Sequence, residues 1–186
     1  MTRRQQVLDA AIRVLGTTGP RGLTHRAVDT AAGLPEGSTS NHFRTRDALV
    51  SGVVDRLLER ETELWGRLAV DVSNPDALAT AVGCLVRQLA DERVLTLARH
   101  AVFVEASVRP ELGRRIAEAH RRIAEWAGPL IGALGSDDPV RDLRLLLAVI
   151  DGLLTNQLAN PQPDFAPAEA VRTVLRGMFG PPPIDG

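Results

Sequence analysis

Apolar residues recur three and four positions apart along almost the whole chain, and strand-like alternation is nearly absent. Each such stripe must be covered by another, so the chain is confined to helices packed on helices. Val7, Leu8, Ala11, Ile12 and Leu15 form the first stripe, a helix expected to stop at Gly16 and the Gly19-Pro20-Arg21-Gly22 segment. Thr24 is the expected cap of a short second helix that buries Ala27, Val28 and Ala31, and Gly33 its left-handed stop. A third short helix is expected from about Pro35 to Phe43. Thr45 then opens a long fourth helix, with Asp47 in its first turn and an end near Ser73-Asn74-Pro75. Five more helices follow, over 76–91, 93–107 and 110–134 and from Pro139 and Pro167. The 93–107 stretch is apolar nearly all round, which predicts a central position, and Gly128-Pro129 predicts a kink. The fold class is all-α, with three helices in a head (1–46) and six in a body (47–186).

The 186 residues are 44% hydrophobic and 24% charged, which excludes disorder as the main state. No apolar run is long enough for a membrane span, and the residues after Met1 turn amphipathic at once, which predicts a cytoplasmic protein. Cys84 is the single cysteine, so neither a disulfide framework nor a multi-cysteine metal site can form. Charge is divided unevenly. Residues 1–46 hold seven arginines against three acids, while 47–186 hold fifteen against twenty. A basic head on an acidic body points to a polyanion partner for the head alone. There is no lysine, so every cationic contact to phosphate is a guanidinium or a histidine.

Two short helices joined by a tight glycine-containing turn, behind a longer one, form a helix-turn-helix pattern. The third helix is small and polar, Gly37-Ser38-Thr39-Ser40-Asn41-His42, and burying it would leave many hydroxyls to satisfy. Gly37 permits close approach to DNA, the hydroxyls and Asn41 suit phosphates or base edges, and His42 can donate to phosphate. Phe43 is expected to turn inward, with Arg44 and Arg46 flanking the helix end.

Val7-Leu8-Asp9-Ala10-Ala11, Gly19, Gly22-Leu23-Thr24, Val28, Ala31-Ala32-Gly33-Leu34, Gly37-Ser38, His42-Phe43 and Arg46-Asp47-Ala48-Leu49 together resemble the N-terminal domain of the tetracycline-repressor (TetR) family. The resemblance covers roughly residues 3–50. It implies a homodimeric transcriptional repressor released from operator DNA by a small molecule. It further implies that Thr24, His25 and Arg26 meet the DNA backbone, with Arg26 extending toward a base. Gly37, Ser38, Thr39, Ser40 and His42 would face the groove, and Arg46 stands where the family has a phosphate-contacting lysine. Three positions depart from the family pattern: Pro35 replaces the cap serine, Glu36 a basic residue, and Ser40 a tyrosine.

The resemblance also implies pairing of two subunits through the last two long helices, which sets two heads roughly 34–36 Å apart for successive major grooves. A ligand would enter among helices four to seven, lined by Trp65, Leu68, Leu89, Leu97, His100, Phe103, Val104, His120, Ile123 and Trp126, and the fourth helix would carry its effect to the head. Asp151 interrupts an apolar run and reads as a polar seam, a dimer contact or a ligand acceptor. Two other classes are compatible with a helical chain of this kind. One is a helical interaction module without a DNA target. The other is a metal-binding or catalytic protein using His100 and His120 with Glu105. No phosphate loop, nucleophile elbow or zincin motif occurs, and no cofactor is implied.

Overall fold

A computed structural model describes residues 1–67 and 74–179. Among them the protein forms nine helices and no strand. These are α1 (Arg3–Gly22), α2 (His25–Ala32), α3 (Ser38–His42), α4 (Arg46–Gly66), α5 (Pro75–Asp91), α6 (Arg93–Val108), α7 (Pro110–Ala133), α8 (Pro139–Ala159) and α9 (Pro167–Phe179). The expected continuation of α4 to residue 73 lies outside the described residues.

Two compact units result, Met1–Leu64 with Glu92–Ala119 and Trp65–Asp91 with His120–Gly186. This packing division differs from the boundary expected at residue 46. The three head helices are too short to cover their own apolar faces. Leu8, Ile12, Val28 and Phe43 therefore share one core with Leu49, Val53, Ala98, Val102 and Leu112. Arg56 of α4 adds an ion pair to Asp9 of α1 at 2.9 Å and to Glu59 at 2.7 Å. Both carboxylates hold its guanidinium above the ordinary arginine value despite the burial that opposes them.

In the first unit α1 opens with a capping box: the Thr2 hydroxyl accepts from the Gln5 amide, and the Gln5 side chain accepts from the Thr2 amide. The helix does not stop at Gly16. It runs on to a break at Gly19, whose φ is 73°. Gly16 has a different task, because a Cβ there would stand 2.0 Å from the Val94 carbonyl oxygen, so its hydrogen lets α6 touch the α1 backbone. Gly52 likewise makes room for the Phe43 ring beside Leu8. Phe43 is buried, as its place in the pattern predicts, and its burial contributes about 1.5–3 kcal/mol. The central position predicted for 93–107 is not adopted. Thr96, Ala98 and Val102 face the core, while Val104 and Val108 are 71% and 78% exposed. Apolar composition all round said only that any face could be buried, and the docking on Gly16 chose one.

In the second unit α5 packs on α8 and α9, and α8 on α9. Gly83 is pressed against Ala168. Val82, Leu85, Leu146, Leu154, Val171 and Leu175 are all buried. Asp138 caps α8 by accepting from the Arg141 amide, and Pro129, the expected kink, lies inside α7.

Candidate DNA-reading surface and ligand cavity

Thr24 caps α2 by accepting from the Ala27 amide, and Gly33 ends it at φ 66°. The chain turns at Leu34 and reaches Gly37, with φ 88°, where α3 begins. Asp29 holds this turn. Its Oδ2 accepts from the Gly37 amide at 2.9 Å, and its Oδ1 from the Thr39 amide at 2.7 Å and the Thr39 hydroxyl at 2.5 Å. Burial pushes the Asp29 carboxyl up. The Thr39 and Gly37 hydrogen bonds, with His25 nearby, outweigh it and hold the group below the ordinary carboxylate value. His25 ties the other end of α3, with Nε2 2.7 Å from the Phe43 carbonyl oxygen. A five-residue helix is too short to be stable alone. These two ties, one at each end, set its direction.

The sequence expectation overlooked Asp29. Its only signal is a carboxylate in the middle of a short apolar-faced helix, directly after Val28. Two expected DNA contacts are corrected by the same network. Thr39 is fully buried and bonded to Asp29, so it cannot face a groove as placed. His25 is half-buried with Nε2 on the Phe43 carbonyl rather than turned to a phosphate.

The remaining expected contacts reach solvent. Thr24, Arg26, Gly37, Ser40, Asn41, His42 and Arg46 are exposed, and Ser38 is half-buried with its hydroxyl donating to the Pro35 carbonyl. Arg26 lies 3.4 Å from Glu36 with both side chains at least 80% exposed, a pairing too solvated to immobilise it. Arg46 is folded back: one guanidinium nitrogen donates to the Pro20 carbonyl at 3.0 Å, and the other is 3.5 Å from Glu105.

The nine described residues among the ten expected around a ligand are divided between the two units. Trp65, Ile123 and Trp126 line a cavity of about 30 Å³ within the second unit, together with Leu78, Val82 and Ile131. Leu89 and His120 belong to that unit and do not line this cavity, and Leu68 lies outside the described residues. Leu97, His100, Phe103 and Val104 belong to the first unit, where α6 packs with α1. There His100 Nδ1 meets the Thr96 carbonyl at 2.8 Å, and the Arg99 guanidinium stacks 4.3 Å from the Phe103 ring centre. Asp151 is half-buried and does not line the cavity either. The residues around the cavity from α5 and α8 were missed, since an apolar stripe looks the same whether it meets a neighbour or a void. Among the described residues no group of three or more His, Cys, Asp or Glu could hold a metal ion. No described helix is long and apolar enough to cross a membrane.

Residues 73–181, more than half of the chain, match the family model described as tetracyclin repressor-like, C-terminal domain. The chain belongs to the TetR family. The multidrug binding protein EbrR, solved in complex with imidazole, is 32% identical, covering 100% of this chain and 98% of its own, with a TM-score of 0.70. A TetR-family member from Streptomyces coelicolor A3, SCO1917, is 30% identical over 96% of this chain and 99% of its own, with a TM-score of 0.75. An HTH-type transcriptional regulator of Mycobacterium tuberculosis, Rv1255c, is 28% identical over 167 residues, 89% of this chain and 79% of its own. A Rhodococcus regulator at 20% identity and TM-score 0.83 shares the fold. The matched TetR span takes in α5 to α9, and these relatives extend over the helix-turn-helix head as well. The protein is thus a TetR-family transcriptional regulator, and its relatives are named as regulators rather than enzymes.

Proposed function

We propose that this regulator is a homodimeric repressor that leaves its operator when a small, mainly apolar molecule enters the Trp65–Trp126 cavity. The observation that carries the reading is the polar surface of α3. Ser40, Asn41 and His42 are exposed on a helix whose start and end are tied by Asp29 and His25. A helix so held presents donors and acceptors in one orientation, which base reading requires. Thr24, Arg26 and Arg46 are the phosphate contacts in this reading, with Ser38, Ser40, Asn41 and His42 toward the groove.

Support for the dimer comes from α8. Leu145 is 49% exposed, and a Cβ on Gly152 would meet nothing within 4 Å. Two copies of this face with α9 would form a four-helix contact. The cavity supports the ligand class, since its lining is aliphatic and indole and offers few polar partners. The relative EbrR has been solved in complex with ethidium and with malachite green. Trp126 lines the cavity and is 40% exposed. We read the chain as a non-catalytic cytoplasmic protein, in keeping with histidines His25 and His100 bonded to backbone carbonyls.

Selection of bound duplexes from a random pool, followed by band-shift on the enriched sequence, tests the reading. A near-palindrome bound at about 10⁻⁸–10⁻¹¹ M is expected. Micromolar binding to every sequence alike would overturn it.

A further inference from the structure

The C-terminal end of α6 carries a charge cluster against the start of α4, inside the first unit. One oxygen of Glu105, Oε1, lies 2.9 Å from Arg109 and 3.5 Å from Arg46. Arg109 also reaches Asp47 at 3.2 Å and Glu111 at 2.8 Å. Arg46 and Asp47 are the first two residues of α4, directly after the reading helix and its Phe43 anchor. Glu105 is 18% exposed and Arg46 47%, so the carboxylate is fixed while the guanidinium borders solvent.

We propose that Glu105 is a positioning residue that withholds Arg46 from the DNA backbone and so weakens the head's grip on phosphate. This rests on the reading of Arg46 as a phosphate contact. The chemistry is a competition between two oxyanions for one guanidinium. Glu105 already shares its oxygen with Arg109, and the Arg46 pair is long and half-solvated, so it is weak enough for a phosphate to displace. The second tie on Arg46, to the Pro20 carbonyl, is neutral and does not oppose a phosphate electrostatically. Arg109 and Asp47 fasten the same two helix ends. Release of Arg46 from Glu105 therefore leaves α4 and the end of α6 still joined through Arg109 and Asp47.

The expected sign is unusual: removing a buried-side carboxylate should tighten DNA binding. Glu105→Gln keeps the shape of the side chain and removes its charge. Fluorescence anisotropy with a labelled duplex of mixed sequence, over a series of KCl concentrations, reads the effect without knowledge of the operator. Glu105→Gln should tighten binding by about two- to fivefold per head, the strength of such a pair. Arg46→Ala should weaken binding and lower the salt slope by roughly one unit per lost contact. In the Arg46→Ala background, Glu105→Gln should have no further effect. Three results would overturn the proposal. Equal tightening with and without Arg46 would make Glu105 a general repulsive charge. Unchanged affinity in Glu105→Gln, with Arg46→Ala weakened, would remove Glu105 and leave the Arg46 contact standing. Weaker binding in Glu105→Gln would mean that the carboxylate orients Arg46 for DNA. If Arg46→Ala alters neither affinity nor salt slope, the phosphate reading of Arg46 itself fails.

Discussion

Asp29 and Thr39 show how one buried pair decides what the exposed residues can do. Removing the carboxylate leaves two amides and a hydroxyl without an acceptor at the start of α3. Asp29→Ala should therefore cost about 1–3 kcal/mol in urea unfolding and weaken DNA binding on all sequences. Its pH dependence has a definite sign. The folded-state value lies below the ordinary 3.8, so the stabilisation is complete above 3.8 and is lost as the pH falls toward the folded value. Unfolding series at neutral and at acidic pH should bring wild type toward Asp29→Ala as the medium is acidified, and a constant gap would contradict the assignment. Thr39→Val removes one hydrogen bond to a charged group, worth about 1.5–3 kcal/mol. Two operator variants should be weakened by the same factor. A changed ratio between them would restore Thr39 as a groove contact.

At the scale of elements, the contact of α1 with α6 makes the head part of a larger unit. It depends on Gly16, which the Val94 backbone approaches too closely for any side chain. Gly16→Ala should lower stability by about 1–3 kcal/mol in thermal unfolding, the usual range for overpacking, although alanine is the better helix former. A gain in stability would mean that α6 does not rest on α1 at this point. Gly83, pressed on Ala168, offers the same test for α5 and α9 in the second unit.

Two predictions concern the whole molecule. Leu145→Arg combined with Gly152→Arg places two charges on the outward face of α8, where nothing within the protomer is displaced by residue 152. Sedimentation should then show monomers of unchanged helical content, with operator affinity much reduced because two linked heads no longer bind together. Persistence of the dimer would move its interface elsewhere. The second concerns coupling. A ligand that lowers operator affinity by about 1–3 kcal/mol must itself be weakened by operator DNA to the same extent. Titration followed by tryptophan fluorescence, with and without operator, measures both sides. Trp126→Ala, which removes an indole from the cavity wall, should change ligand affinity. Equal ligand affinity with and without DNA would separate the cavity from control of the head.

Local rules made much of this protein legible from its sequence. The apolar spacing announced the nine helices of the described residues, Thr24 and Gly33 bounded α2, and the small polar run 37–42 marked α3. Each depends on residues within a turn or two of one another, so a linear pattern carries them. The inward turn of Phe43 was legible for the same reason, being the one large apolar residue at the end of a polar helix. Other features arise between segments far apart in the chain. Gly16 reads as a helix stop, yet Val94 lies against it, and Thr39 reads as a groove contact, yet its hydroxyl donates to Asp29. The 93–107 stretch is apolar nearly all round, and its composition is silent about which side is covered. Arg46 looked free for phosphate, but Glu105, fifty-nine residues away, holds it. Periodicity states that a side chain is to be buried or exposed, and only packing decides against what.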